Sequence, residues 1–366
     1  MLTRMYCDNY KCLVNFELRP KALQLFIGSN GSGKSTVFEV LRLLRDFASR
    51  GEKCEDRFGG RTRTRWQDVA KQTFELEVSA KLGTYTYRLE IEDSGTLSQF
   101  KVVHESVTLD GSKLFLFEKG LVQLFRSKTE AKAQFPLHPY RSGLAMVESR
   151  PDDESLGWFK AWLDQLLYVQ IDPRRMGSLA EREVAFPAFD LENFASWYRH
   201  LRLEDGTAME ALRRSLTEVI SGFESLDLKE AGLNRRVLQV STRVDGKAFQ
   251  YSFEELSDGQ RALVGLYTLL HRSTKQESLL CIDEPDNFVA LAEIQPWLML
   301  LEDAQELGLQ VLVASHHPEL LNQLANKDGV VLGRPDFRHS QVRAFSALSD
   351  LPVTPAELIA RGWEGV

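Results

Sequence analysis

A lysine and a hydroxyl, Lys34 and Ser35, stand directly behind Gly33 in the stretch GSNGSGKST, residues 28–36. Counted from Gly28, the spacing is G-x-x-x-x-G-K-[ST], a pattern in which glycines let backbone N–H groups close around phosphate oxygens. The apolar run Ala22–Ile27 predicts a strand before the loop, and Val37, Val40, Leu41 and Leu44 predict a helix after it, running to about Ser49. Strand, glycine turn and helix start together make an anion nest. Lys34 is spaced to reach the β- and γ-phosphates of ATP, and the Ser35 hydroxyl to ligate Mg²⁺. Asn30, Gly31, Ser32, Gly33 and Thr36 supply the rest of the cradle.

Two later stretches carry complementary chemistry. ELSDGQ, residues 255–260, precedes a helix predicted from Leu263, Leu266, Tyr267 and Leu270, so Ser257, Gly259 and Gln260 lie where a hydroxyl and free N–H groups can meet an anion. LLCIDE, residues 279–284, is an apolar strand ending in two carboxylates. After a phosphate loop, Asp283 is the candidate for the Mg²⁺ shell and Glu284 the candidate base that polarises water. A further buried strand, Leu309–Ala314, ends at Ser315-His316-His317-Pro318, and the C-terminal edge of such strands is where ligands bind in open α/β sheets. Of the two histidines, His316 is the candidate for bonding a γ-phosphate.

These motifs occur in the order found in ABC-type ATPases. The chain resembles the soluble RecF/SMC-like branch, including the short bacterial AAA-labelled ATPases related to the OLD-family nucleases. NYKCLVNFEL…LQLFIGSNGSGKST is similar to that branch's opening, and the resemblance covers residues 1–50 and 250–335. It implies an α/β fold: a P-loop ABC-ATPase head with a mixed sheet, an antiparallel β subdomain and an inserted helical lid. It also implies a homodimer closed around two ATP molecules. Asn30–Thr36, Asp283, Glu284 and His316 of one subunit would then face Ser257, Gly259 and Gln260 of the other. A glutamine completing the Mg²⁺ site is part of that pattern, and Gln170 in YVQIDP is the candidate. Residues 286–291, DNFVAL, depart from the small-residue-plus-aspartate loop usual after the acids.

The elements around these motifs follow from periodicity. Met1–Arg19 predicts a strand pair, and Gly51–Trp66 a charged loop with Arg57, Arg61, Arg63 and Arg65. Residues 73–126 alternate with period two (Phe74-Leu76-Val78, Tyr85-Tyr87-Leu89-Ile91, Val103-Val107-Leu109), which predicts antiparallel strands turned at Gly83, Asp93–Gly95 and Asp110–Gly111. Lys128–Asp153 reads as a loop. Glu154–Tyr168 reads as a helix with Leu156, Phe159, Trp162, Leu163, Leu166 and Leu167 inward. Residues 191–223 predict two helices broken near Glu204–Gly206, and residues 237–253 a hairpin turned at Asp245-Gly246. The expected organisation is a head over 1–345 and a tail over 346–366. Within the head, 1–126 is the N-terminal lobe, 127–250 the helical and β insertion, and 251–345 the lobe with the later motifs.

Composition bounds the reading. With 43% hydrophobic and 27% charged residues in 366, the chain has ordinary globular make-up. A net charge of −7 confines any nucleic-acid contact to a local patch, with Arg57–Arg65, Arg174-Arg175 and Arg235-Arg236 as candidates. Cys7, Cys12, Cys54 and Cys281 lack zinc-site spacing and read as reduced thiols of a cytoplasmic protein. No apolar run is long enough to span a bilayer. The separation of Lys34 from Ser257 is far longer than in transporter ATPases, which disfavours a soluble transporter subunit. The leading expectation is a dimeric switch ATPase of DNA repair or anti-phage defence that controls a separately encoded, nuclease-like effector, with DNA as a possible ligand. The rival is a sensor or scaffold that binds ATP and turns it over slowly or not at all.

Overall fold

The computed structural model describes residues 1–93, 100–125, 131–148, 154–273, 278–306, 308–346 and 353–362. They form two compact units. One comprises Met1–Leu167 with the described part of Asn326–Leu348, the other Tyr168–Ala325 with the described part of Ser349–Trp363.

In the first unit the period-two segments build an eight-stranded antiparallel sheet. Its order is Phe16–Leu18, Leu2–Asp8, Lys71–Ala80, Gly83–Asp93, Phe100–Leu109, Ser112–Glu118, Leu121–Phe125 and Ala131–Pro136. Asp110 (φ 47°) and Gly111 (φ 75°) form the tight turn of one hairpin, both in the left-handed region such two-residue turns demand. One face is buried by aromatic packing. Tyr85 stacks on Trp158 (4.9 Å) and on Phe159 (5.7 Å), both on the helix Glu154–Asp164. The helix Lys34–Arg50 buries Val37, Phe38, Val40, Leu41, Leu44 and Phe47. Phe38 meets Phe26 edge-on at 5.2 Å, and Phe47 meets Phe58 at 5.1 Å. Phe26 lies on the strand Leu23–Ile27, all five residues of which are buried. That strand pairs in parallel with Gly329–Gly333, which pairs antiparallel with Gln341–Ala344.

In the second unit, Ser278–Asp283 and Leu309–Ala314 pair in parallel with Asp283 opposite Ala314, and both strands are wholly buried. Their shared end fixes Glu284 and Ser315 at one edge. Leu167–Val169 lies beside Ser278–Asp283. The helix Asp258–Ser273 follows the ELSDGQ stretch. Phe194–Glu204 and Gly206–Val219 are the two helices of the insertion, the second capped by the Asp205 side chain on Ala208 N. Phe223–Glu230, Arg236–Val244 and Lys247–Ser252 form its antiparallel sheet.

Four expectations need correction. The Lys128–Asp153 stretch is not all loop: Ala131–Pro136 adds the edge strand and Gly143–Met146 makes a helical turn. A turn of helix, Cys54–Arg57, likewise interrupts Gly51–Trp66. The helix from Glu154 stops at Asp164, and Leu167–Val169 is a strand buried on both faces. A contiguous apolar run fits either period, so spacing alone did not separate them. Finally, a register shift at Glu90/Ile91 turns Val102 inward in place of Val103, while Glu105 and Val107 are buried and Leu109 is half-buried. The last residues also hold structure: Pro355–Ala360 is a helix capped by Thr354, with Leu358 buried and Ala356 N donating to Asn322 Oδ1 at 3.0 Å.

The turn Asp93–Gly95 lies outside the described residues beyond Asp93.

Candidate active site

In the first unit the glycine loop is shaped by close approaches. A Cβ on Gly28 (φ 150°) would lie 2.2 Å from Leu332 O, and one on Gly33 (φ 108°) would lie 2.5 Å from Ser340 Oγ. Neither position admits another residue. Gly33 opens the helix Lys34–Arg50 without any side-chain cap, the arrangement in which a helix N-terminus receives an anion. Lys34 is buried and donates to Gly28 O (2.6 Å) and Ser29 O (3.3 Å), which holds its ammonium against the inside of the loop. Ser32 Oγ is buried without a hydrogen-bond partner. Asn30, Gly31 and Ser35 are exposed, and Thr36 is half-buried near Cys12, Sγ to Oγ1 3.9 Å. An orphaned hydroxyl, an uncapped helix and a sequestered lysine fit a phosphate group.

The second unit carries the carboxylates. Asp283 ends its strand at 3% exposure, and its Oδ2 accepts a 3.2 Å bond from the Tyr168 hydroxyl. Glu284 has φ 50°, its N–H bonds Ala314 O at 2.8 Å, and Oε2 accepts from Asn287 Nδ2 at 2.7 Å. A non-glycine residue held in the left-handed region at a strand end marks a site whose side chain must point a set way. Gln170 follows the Leu167–Val169 strand, half-buried, with its N–H on Phe189 O at 2.8 Å, two residues from Tyr168. Among the described residues no group of three or more His, Cys, Asp or Glu is arranged to hold a metal alone. That donor set suits Mg²⁺, which takes one or two carboxylates and fills its shell with phosphate and water.

The two histidines divide their work. His317 Nδ1 accepts from Glu319 N at 3.2 Å, which makes it a local cap of the helix Pro318–Asp328. His316 is exposed. Ser315 Oγ donates to Asp286 Oδ1 at 2.5 Å and accepts from His317 N at 2.9 Å, tying the segment after the acids to the histidine turn. Burial raises the Asp286 pKa, with the Ser315 bond opposing.

Ser257 and Gln260 are engaged with each other. Ser257 Oγ accepts from Gln260 N (3.2 Å), while Gln260 Oε1 accepts from Ser257 N (3.1 Å) and Oγ (3.2 Å), a reciprocal helix cap. A Cβ on Gly259 would come within 2.8 Å of Phe288 O, so the DNFVAL segment lies directly on the helix start. Arg174 joins these parts. Its Nε donates to Asp258 Oδ2 at 3.2 Å, and its guanidinium lies 5.2 Å over the Phe288 ring. The Arg174 bond leads the causes that lower the Asp258 pKa. Sequence reasoning missed Tyr168, Ser315 and Asp286, and it singled out Arg174 only as a nucleic-acid candidate, where the structure pairs it with Asp258. Only Ser315, preceding the histidine pair, carried a positional signal.

Most of the candidate arginines for nucleic acid are already paired: Arg57 with Glu52 and Asp46, Arg63 with Asp93, and Arg174 with Asp258. Arg175 pairs with Asp190 and Glu192, Arg235 with Glu181, and Arg236 with Glu230. Arg61 and Arg65 make no ion pair among the described residues. All four cysteines are free and buried, and no described helix is long and apolar enough to cross a membrane.

Comparison with known proteins identifies a family and a fold. A family model described as "AAA domain, putative AbiEii toxin, Type IV TA system" matches residues 25–322. No curated protein matches the chain. Among solved structures it is similar to an SMC head bound to the C-terminal winged-helix domain of ScpA. The TM-score is 0.55 at 14% identity, covering 96% of this chain and 99% of that one. It is also similar to the Pyrococcus furiosus SMC head with extended coiled coil bound to the C-terminal domain of ScpA. There the TM-score is 0.53 at 12% identity, covering 94% of this chain and 96% of the other. The fold is that of an SMC-like P-loop ATPase head.

Proposed function

The chain belongs to this AAA domain family, and from that premise we propose that it is an ATP-hydrolysing switch that works as a homodimer on a separately encoded effector. The observation that carries the reading is the uncapped helix behind Gly33 with Lys34 folded inward; in the other unit, Asp283 and Glu284 at a strand end support it. In this reading Asn30–Thr36 bind the phosphates of ATP, and Ser35, Asp283 and Gln170 hold Mg²⁺. Bound Mg²⁺ supplies charge neutralisation on the β- and γ-phosphate oxygens. Glu284 takes a proton from water, Tyr168 orients the Asp283 carboxylate, and His316 bonds the γ-phosphate. Ser257, Gly259 and Gln260 act on nucleotide held by the second subunit. For that, the mutual cap of Ser257 and Gln260 must open, which makes their pairing the resting state of the switch.

Partner control is supported by the neighbours, SMC heads seen with ScpA domains bound, and by the family's description, "putative AbiEii toxin, Type IV TA system". The effector would dock on the insertion between Lys71 and Phe249, with a role in genome maintenance or phage defence. Steady-state ATP turnover of the purified chain, with and without DNA and with co-purified partner, tests the reading. Turnover that needs Mg²⁺ and rises with protein concentration is expected. Nucleotide binding without any turnover under these conditions would favour the sensor or scaffold instead.

A further inference from the structure

One surface of the first unit has features that neither packing nor the nucleotide site uses. Thr64 is buried and locked down: its N–H bonds Asn9 Oδ1 (3.1 Å) and its hydroxyl donates to Lys11 O (2.9 Å). Arg63 beside it is tied to Asp93 at 2.7 Å. Anchoring these two residues leaves Arg61, Arg65 and Trp66 outward, with Trp66 47% exposed. A second segment reaches the same place. The Arg334 guanidinium lies 5.2 Å over the Trp66 ring, and its Nε donates to Arg338 O at 2.8 Å, closing the turn Pro335-Asp336-Phe337. Asp336 and Phe337 both have φ 53°, and the Phe337 ring is 84% exposed. A large apolar ring held in water on left-handed backbone is disfavoured twice over, and such strain concentrates where a ligand is met.

Charge points the same way. Arg61, Arg65, Arg334 and Arg338 have no carboxylate partner among the described residues, whereas the other candidate arginines do. Asp68 and Asp336 are the acidic neighbours in sequence, both exposed, so the patch stays positive on a chain of net charge −7. Guanidinium groups take phosphates, while exposed rings take the faces of unstacked bases. A duplex keeps those faces covered.

We propose that Arg61, Arg65, Trp66, Arg334, Phe337 and Arg338 form a binding site for single-stranded nucleic acid. The site is coupled to the phosphate loop through backbone. Ser340, two residues beyond Arg338, donates from Oγ to Ser32 O at 2.6 Å and from N to Cys12 O at 2.8 Å. A strand that moves the turn therefore moves the wall of the loop. The proposal does not require hydrolysis, so it stands or falls apart from the ATPase reading.

The test is fluorescence anisotropy of a labelled oligothymidylate, and of a duplex of equal length, against the full nucleotide-free chain over a range of salt. The single strand should bind more tightly than the duplex. Phe337→Ala and Trp66→Ala should each weaken it about five- to hundredfold, as expected for a lost stacking partner, without changing the salt slope. Phe337→Tyr keeps the ring and should retain binding. Arg61→Gln, Arg65→Gln and Arg338→Gln should each flatten the slope by about 0.7, while Arg235→Gln, already paired, should not. Equal affinity for duplex, indifference to both ring substitutions, no binding at the lowest salt, or competitive displacement by ATP would each overturn the assignment.

Discussion

The Tyr168 hydroxyl donates to Asp283 Oδ2 across 3.2 Å, joining the residue that precedes the Gln170 turn by two positions to the carboxylate at the end of the neighbouring strand. A buried carboxylate oriented by a phenol presents its remaining lone pairs in a fixed direction. Removing an orienting partner of a metal ligand weakens metal affinity by about 10- to 100-fold. Tyr168→Phe should therefore raise the Mg²⁺ concentration needed for half-maximal turnover by about tenfold, with saturating activity restored by excess Mg²⁺. A Mg²⁺ titration at fixed ATP measures it. An unchanged midpoint would show that Tyr168 does not position Asp283 for the metal.

Lys34→Ala removes the cation that the loop holds against Gly28 O. Nucleotide binding should be lost, as read by titration calorimetry. Wild-type affinity in this variant would remove the loop from the site.

Glu284→Gln keeps the shape and the contact with Asn287 but cannot accept a proton. ATP binding should persist while turnover drops by about 10²–10⁴, the usual contribution of a general base. The ATP-loaded dimer should accumulate on size exclusion. Undiminished turnover would transfer the role to another carboxylate.

Ser257→Arg should spare ATP binding by the isolated chain and block turnover, because in the proposed dimer the added bulk would sit where the second subunit's nucleotide approaches. Mixing it with Lys34→Ala gives heterodimers with one doubly damaged and one intact composite site. Partial recovery of turnover is expected. None, with heterodimers demonstrated by tagged co-purification, counts against composite sites.

Stability carries a pH signature from Glu105, which is wholly buried. It accepts bonds from Tyr87 Oη (2.9 Å), Ser142 Oγ (2.6 Å), Gly143 N (2.7 Å) and Leu144 N (3.3 Å). Burial outweighs these bonds and raises its pKa above the ordinary 4.5. The folded chain thus binds this proton more tightly than the unfolded one. Its contribution is complete below that ordinary value and declines as pH rises through the folded one. Urea unfolding from mildly acidic to neutral pH should show wild type losing stability relative to Glu105→Gln as pH rises. Parallel curves would mean the carboxyl is ionised throughout.

Much of this was legible in the residues, and the limits have physical reasons. Gly28, Gly33 and Lys34 announce a loop because backbone geometry and phosphate chemistry admit few alternatives. Asp283 and Glu284 stand out as charges ending an apolar strand. Tyr168 did not, since it sits in the apolar run Leu166–Val169, where helix and strand periods coincide. Glu105 lies on the same face as Val107, yet a carboxylate between apolar positions reads as a break in the pattern and not as a buried group. Arg174 looked like surface charge, because Asp258 is far from it in sequence. The alternating strands from Lys71 to Glu118 and the two insertion helices follow their spacing closely, local pattern being enough for local pairing.

Ser340 reaches back 308 positions to hold Ser32 O, and Leu332 O presses on Gly28. During synthesis the phosphate loop leaves the ribosome early, yet the residues that brace it emerge only after Tyr168–Ala325 of the second unit has been made. A chain that ends before Ser340 therefore carries the glycine motif without the contacts that brace it.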